Sequence, residues 1–140
     1  MKLSATVTII SLVASFSAVL ATRVGYDTVY DNPNGSLSTV ACSDGSNGML
    51  TKGYTTFGSL PSFPNIGAAQ AIAGWNSPAC GSCWQISYGE KSIYFIAIDR
   101  TNNGFVVSSE AMNTLTNGQA QDLGVISADT TQVSESSCGL

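Results

Sequence analysis

Residues 80–99, CGSCWQISYGEKSIYFIAID, decide the fold. From Cys83 to Tyr88 apolar and polar side chains alternate, Gly89-Glu90-Lys91 makes a turn, and a second apolar run ends at Asp99. Period-two alternation marks a strand with one buried face, and two such runs across a short glycine turn predict a hairpin. The stretch also opens with Cys-x-x-Cys, a spacing found in redox dithiols and in zinc sites. A thioredoxin-like dithiol stands where a strand gives way to a helix, whereas here a strand follows. A zinc site is marked by two close cysteine pairs, and this chain has one. The reading is therefore structural: Cys80 and Cys83 anchor separate disulfides, with no metal and no cofactor.

Four cysteines, Cys42, Cys80, Cys83 and Cys138, allow three pairings. Two long loops contribute about 4 kcal/mol each in the chain-entropy model, against about 2 kcal/mol for closing Cys80 on Cys83. That favours Cys42–Cys80 with Cys83–Cys138, or the crossed alternative. Loop entropy does not separate those two.

The compartment agrees with disulfides. Met1-Lys2 precedes an uncharged, mostly apolar run that stops at Ala21, with Val19 and Ala21 at the positions a signal peptidase reads. Residues 1–21 are predicted to be a secretory signal peptide and residues 22–140 a single mature domain. An uncleaved membrane anchor is the alternative, since the run is just long enough to span a bilayer. No second apolar run follows, and the chain turns polar at once, which favours cleavage. Secretion brings oxidising conditions, in which structural bridges persist.

Charge and composition exclude several function classes. The mature part holds four basic residues against nine acidic ones, so phosphate backbones and anionic lipids are repelled. Nucleic acid is not an expected partner. Ser, Thr, Asn and Gly dominate the polar residues, which suits a neutral, hydroxyl-rich extracellular surface. There is no histidine. Ser-His-Asp and Cys-His catalysis and histidine-ligated zinc are thereby excluded, leaving acid-base work to carboxylates.

Along the mature chain, residues 22–31 open with an extended run, and Asn32-Pro33-Asn34-Gly35 is a turn. SLSTVAC (36–42) alternates like a strand, residues 43–48 form a loop, and MLTKGYTTFGSL (49–60) reads as a weak strand and turn. NIGAAQAIAGW (65–75) is mildly helical, with Asn65 as cap. After the central hairpin, SSEAMNTLTNG (108–118) is a helix with Ser108 as N-cap and Gly118 as stop, burying Ala111, Met112 and Leu115. Residues 123–140 make one or two strands tied down by Cys138. The sum is a mainly β domain, barrel-like, with two short helices and two disulfides.

Asp99 is the candidate functional acid, because it ends an apolar strand at the polar loop RTNNG (100–104). A carboxyl there is either desolvated or fixed by donors. Capping of loop amides is the structural alternative. Glycoside hydrolysis needs a second carboxyl across the bond. Asp27, Asp31, Asp44, Glu110, Asp122 and Asp129 are available, but none is patterned with Asp99. Of the aromatic residues, Trp84 reads as core, while Tyr26 and Tyr30 are expected at the surface, where amphipathic rings can stack on sugars. Asn34-Gly35-Ser36 is an N-glycosylation sequon in an accessible turn.

Several of these stretches, YDNPNGSLSTVACSDGSNGMLTKGYTTFGSLPSFPNIG (30–67), GWNSPACGSCW (74–84), IAID (96–99) and LTNGQA (115–120), resemble the cerato-platanin family of small secreted fungal proteins. The resemblance runs from about Val24 to Leu140 and includes all four cysteines. It implies a six-stranded double-ψ β-barrel with the pairing Cys42–Cys80 and Cys83–Cys138. It further implies an extracellular, wall-associated protein that binds chitin oligosaccharides and loosens cellulose without hydrolysing it, with self-association at interfaces and elicitation of plant defence through a surface receptor. The family's shared acid falls on Asp99, and Tyr26, Asn103 and Gly104 join it as glycan-binding candidates. Two positions depart from the family pattern: Val106 stands where Asn is common, and Thr130 where Tyr is common. A weak glycosidase using Asp99 and a surface-active coat protein are the alternative functions.

Overall fold

The computed structural model describes residues 5–10 and 20–140. The leader expected at 1–21 lies mostly outside them; residues 5–10 are exposed and carry no regular structure.

Six strands close into a barrel: β1 (Leu20–Tyr26), β2 (Ile66–Ala69), β3 (Cys83–Tyr88), β4 (Lys91–Arg100), β5 (Phe105–Val107) and β6 (Ile126–Val133). Their order around the barrel is β1-β5-β2-β4-β3-β6. β1 runs parallel to β5, β2 runs parallel to β4, and all other neighbours are antiparallel. Each parallel pair needs a long crossover. Two such crossovers in one small closed barrel make the double-ψ arrangement, and closure leaves no strand edge free to pair with another chain.

The β3–β4 hairpin forms where its alternation predicts, with Tyr88 opposite Lys91 and Gly89 at φ 58° in the two-residue turn. Phe95, Ile96, Ala97 and Ile98 are all fully buried. Such a run fits a strand covered on both faces, by the barrel interior and by the outer layer that includes α1 (Ser109–Thr116). In α1, Ser108 Oγ accepts from Ala111 N at 3.0 Å, and Asn117, left-handed at φ 55°, ends the helix. Ala111, Met112 and Leu115 are buried, as their spacing predicts. α2 (Ala120–Leu123) follows directly.

Residues 65–75 are not a helix. Ile66–Ala69 is β2, buried at all four positions between β4 and β5. Its small residues are there for close approach: a Cβ on Gly67 would come within 2.0 Å of the Val106 carbonyl oxygen. Pairing on both sides overrides the helical composition. The second helix is α2 instead.

Two expected strands are also absent. In 36–42, Ser36 Oγ accepts from Ser38 N at 3.2 Å, and Leu37–Thr39 closes as a 3-10 turn. Hydroxyl-to-backbone bonds compete with a ladder, and here they win. Between 42 and 54 the backbone bonds to itself, as in Met49 N to Cys42 O and Tyr54 N to Met49 O, so 49–60 yields turns and a 3-10 segment at Phe57–Ser59. The C-terminus is one strand, β6, followed by a 3-10 turn at Glu135–Cys138. Disulfides join Cys42 to Cys80 and Cys83 to Cys138, which occupies all four cysteines and leaves no free thiol.

Candidate functional site

Asp99 sits half-buried near the end of β4 and accepts from three donors. Tyr30 Oη donates to Oδ2 at 2.9 Å; Ala41 N and Arg100 N donate to Oδ1 at 3.0 and 2.9 Å. Its role as an acceptor is therefore built from three separate stretches of chain. Tyr30 belongs to the 3-10 turn Thr28–Asp31, started by Asp27, whose Oδ1 accepts from Val29 N at 2.9 Å. The Tyr30 ring is buried against Phe57 rather than exposed as expected. Burial first, then the charge and hydrogen bond of Asp99, push the Tyr30 phenol well above its ordinary range, so it remains a neutral donor.

The strand register sets what surrounds Asp99. Gly25, Val106, Ala68 and Asp99 stand opposite one another across β1, β5, β2 and β4, despite a register shift between Gly67 and Ala68. Residues opposed in this way share one face of the sheet. Val106 is thus two strands from Asp99, about 10 Å at ordinary strand spacing.

A cleft of about 210 Å³ opens elsewhere on the barrel, lined by Thr22, Gln70, Ala71, Trp84, Gly104, Phe105 and Thr130. Its aromatic wall is rigid. Trp84 meets Phe105 edge-on at 5.2 Å between centroids, Phe105 meets Phe95 at 5.6 Å, and Trp84 Nε1 donates to Ser82 Oγ at 2.8 Å. Trp84 is therefore only partly core, with the rest of the ring facing the cleft. Gln70 and Gly104 clasp each other: Gln70 N donates to Gly104 O at 2.9 Å, and Gly104 N donates to Gln70 Oε1 at 3.0 Å. Gly104 must be glycine, since its φ is 62° and a Cβ would come within 2.0 Å of Arg23 O. Thr22 and Thr130 bring their hydroxyls together at 2.9 Å. The outcome is an apolar ring face with amide and hydroxyl groups around it and no charged residue in the lining.

The four residues expected to bind glycan are spread over the surface. Asp99 is in the donor cage, Gly104 is in the Trp84 cleft, and Asn103 is exposed just before it. Tyr26 lines a different cleft of about 290 Å³ with Thr28, Ser109 and Asn113, among others. Gln70, Ala71, Thr22 and Phe105 were not singled out by sequence. The helical reading of 65–75 hid the first two, and no motif marks the others. The other carboxylates have structural duties or lie exposed. Asp31 accepts from Glu110 N at 3.0 Å and so caps α1, and Asp44 accepts from Trp75. Glu110, Asp122 and Asp129 are exposed. Asn34 lies exposed in its turn, its N donating to Asn32 Oδ1 at 3.0 Å.

Comparison with known proteins places this barrel. The family model described as cerato-platanin matches residues 22–140. The chain belongs to the cerato-platanin family. It is 48% identical over 119 residues to the heat-stable 19 kDa antigen of Coccidioides immitis, covering 85% of this chain and 82% of that one. The crystal structure of cerato-platanin 3 from M. perniciosa superposes with a TM-score of 0.84 at 52% identity, covering 86% of this chain and 100% of the other. The solution structure of the fungal elicitor Cerato-Platanin superposes with a TM-score of 0.75 at 35% identity, covering 83% and 95%. In this cerato-platanin the two positions expected to depart from the family pattern fall in separate places. Val106 is in the row of Asp99, and Thr130 is in the Trp84 cleft.

Proposed function

We propose that the protein is secreted and binds neutral wall polysaccharide, chitin or cellulose, without cleaving it. The observation that carries this reading is the Trp84 cleft. A tryptophan face can stack on the C–H face of a pyranose, while Gln70, Thr22, Thr130 and the backbone around Gly104 exchange hydrogen bonds with its hydroxyls. An uncharged lining suits an uncharged sugar. Asp99 supports a non-hydrolytic role, because it faces the phenol of Tyr30 and two backbone amides, all of them donors. Binding would loosen a wall by competing with chain-to-chain hydrogen bonds. Elicitation of plant defence is proposed on the strength of the structural neighbour named as a fungal elicitor.

The test uses purified, oxidised protein. Depletion from solution by insoluble chitin and by cellulose measures binding, and a reducing-end assay over the same time course measures cleavage. Retention with no new reducing ends is expected. Reducing ends growing with time and protein would establish the glycosidase alternative, and no retention by either polymer would leave the surface-active coat as the leading function.

A further inference from the structure

Trp75 is 63% exposed, although a side chain of this size is usually buried at least in part. It is also fixed. Its Nε1 donates to Asp44 Oδ1 at 2.6 Å. The next residue, Asn76, is in the left-handed region at φ 58°, where its Oδ1 accepts from Asn47 N at 2.8 Å and its O accepts from Asn47 Nδ2 at 3.0 Å. Gly45, at φ 80°, passes so close that a Cβ would come within 3.0 Å of Trp75 Cζ2 and 2.7 Å of Asn76 Oδ1. The two loops that meet here, 43–48 and 74–77, are flanked by the Cys42–Cys80 bridge. Asn tolerates the left-handed conformation, and the two bonds from Asn47 hold it there, so the backbone that presents the indole is locally fixed.

We propose that Trp75 is a second carbohydrate-docking platform, distinct from the Trp84 cleft, which seats the flat face of a polysaccharide chain; the proposal rests on the glycan-binding reading above. The side chains bonded together at the ring are Asp44, Asn47 and Asn76, which offer acceptors and amide donors. That set fits hydroxyls. Asp44 and the acidic excess of the mature chain repel an anionic membrane. The other large exposed apolar residues of the described domain, Val29, Tyr94, Leu123 and Val125, lie on other segments of the chain. The contacts of the ring are with Asp44 and Gly45, neither of them apolar and bulky, whereas an apolar protein partner would need a contiguous patch. Fixing the indole in advance removes the rotamer entropy a mobile ring would lose on binding. Ala71 of the cleft is four residues from Trp75, so their Cα atoms are no more than about 14 Å apart. A separation of that size is within the reach of one polymer chain.

Retention on insoluble chitin and cellulose, alongside titration with a soluble chitin oligosaccharide, tests the platform. Trp75→Ala is expected to weaken retention on the polymer about tenfold, the loss of one good contact. Its melting temperature and its affinity for the soluble oligosaccharide in the cleft stay close to wild type. Asp44→Ala keeps the ring but frees it, and is expected to weaken retention by a smaller factor. The acrylamide quenching that belongs to Trp75, taken as the difference between wild type and Trp75→Ala, falls when polymer is bound. Wild-type retention by a folded Trp75→Ala variant would overturn the platform and leave the glycan reading standing. Wild type that binds neither polymer nor oligosaccharide overturns both.

Discussion

Tyr30 Oη donates to Asp99 Oδ2 at 2.9 Å across 69 residues of sequence, joining the turn after β1 to the end of β4. Tyr30→Phe keeps the ring against Phe57 but strips a donor from a half-buried carboxylate. A hydrogen bond to a charged group contributes about 1.5–3 kcal/mol, so a loss near the lower end is expected for this partly solvated pair. Asp99→Ala costs more, because it leaves the buried phenol unpaired and also removes the acceptor of Ala41 N. Urea unfolding checks both: the midpoint falls while its slope is unchanged.

The same pair fixes a pH dependence. The folded phenol titrates above the ordinary 10.0, so its contribution to stability is fully present below that pH. Above it, the unfolded chain loses the Tyr30 proton while the folded protein keeps it, and stability falls as pH rises. Stability measured from neutral pH to beyond pH 10 should decline on the alkaline side, less steeply in Tyr30→Phe. In an ultraviolet titration of the folded protein, the Tyr30 phenol should ionise above its ordinary range, a step missing from Tyr30→Phe.

The hairpin and α1 were legible in the sequence because their signals are local. Alternation with a glycine turn specifies β3 and β4, and Ser108 with the spacing of Ala111, Met112 and Leu115 specifies the helix. β2 was not legible. Gly67, Ala68 and Ala69 are small because β5 and β4 press on them from either side, and that constraint comes from residues 30 to 40 positions later. The error passed to the site, since Gln70 and Ala71 follow β2 and line the cleft. Asp99 was found because a carboxylate at the end of an apolar strand is unusual. Its main partner, Tyr30, was not, because nothing in a tyrosine's neighbours tells where its hydroxyl goes.

Gly104 carries a prediction about cleft and fold together. Alanine there meets the Arg23 carbonyl and is strained at φ 62°. Gly104→Ala is expected to destabilise by about 2–4 kcal/mol, combining left-handed strain with overpacking. The clasp with Gln70 should open as the backbone shifts, so oligosaccharide affinity should fall even in the fraction that stays folded. Thermal melting and calorimetric titration separate the two effects. Gly53, where nothing lies within 4 Å, is the control: alanine there suffers only the strain of φ 96°.

The disulfides close loops with sequence separations of 38 and 55. In the chain-entropy model each contributes about 4 kcal/mol, the longer slightly more. Replacing Cys83 and Cys138 together by serine should therefore lower stability by that order, and it also frees the chain end from Phe95, whose O lies 3.4 Å from Cys138 Sγ. Replacing Cys42 and Cys80 together removes a similar amount and loosens the loops beneath Trp75. The second pair should thus impair polymer retention beyond its effect on folding, measured at a temperature where both double variants remain folded.

Thr130 offers the direct test of the cleft. Its hydroxyl now meets that of Thr22 at 2.9 Å, and Trp84 lines the same cleft. Thr130→Tyr gives up that neutral hydrogen bond, about 0.5–1.5 kcal/mol of stability, but adds a second ring beside Trp84. An added aromatic contact is worth about 0.5–1.5 kcal/mol, so affinity for soluble chitin oligosaccharide should rise about two- to tenfold. Thr130→Leu, which adds bulk without a ring face or hydroxyl, should give no such gain. Calorimetric titration of the three proteins decides the matter. A folded Thr130→Tyr variant with unchanged affinity would move the oligosaccharide out of the Trp84 cleft and toward the surface around Asp99.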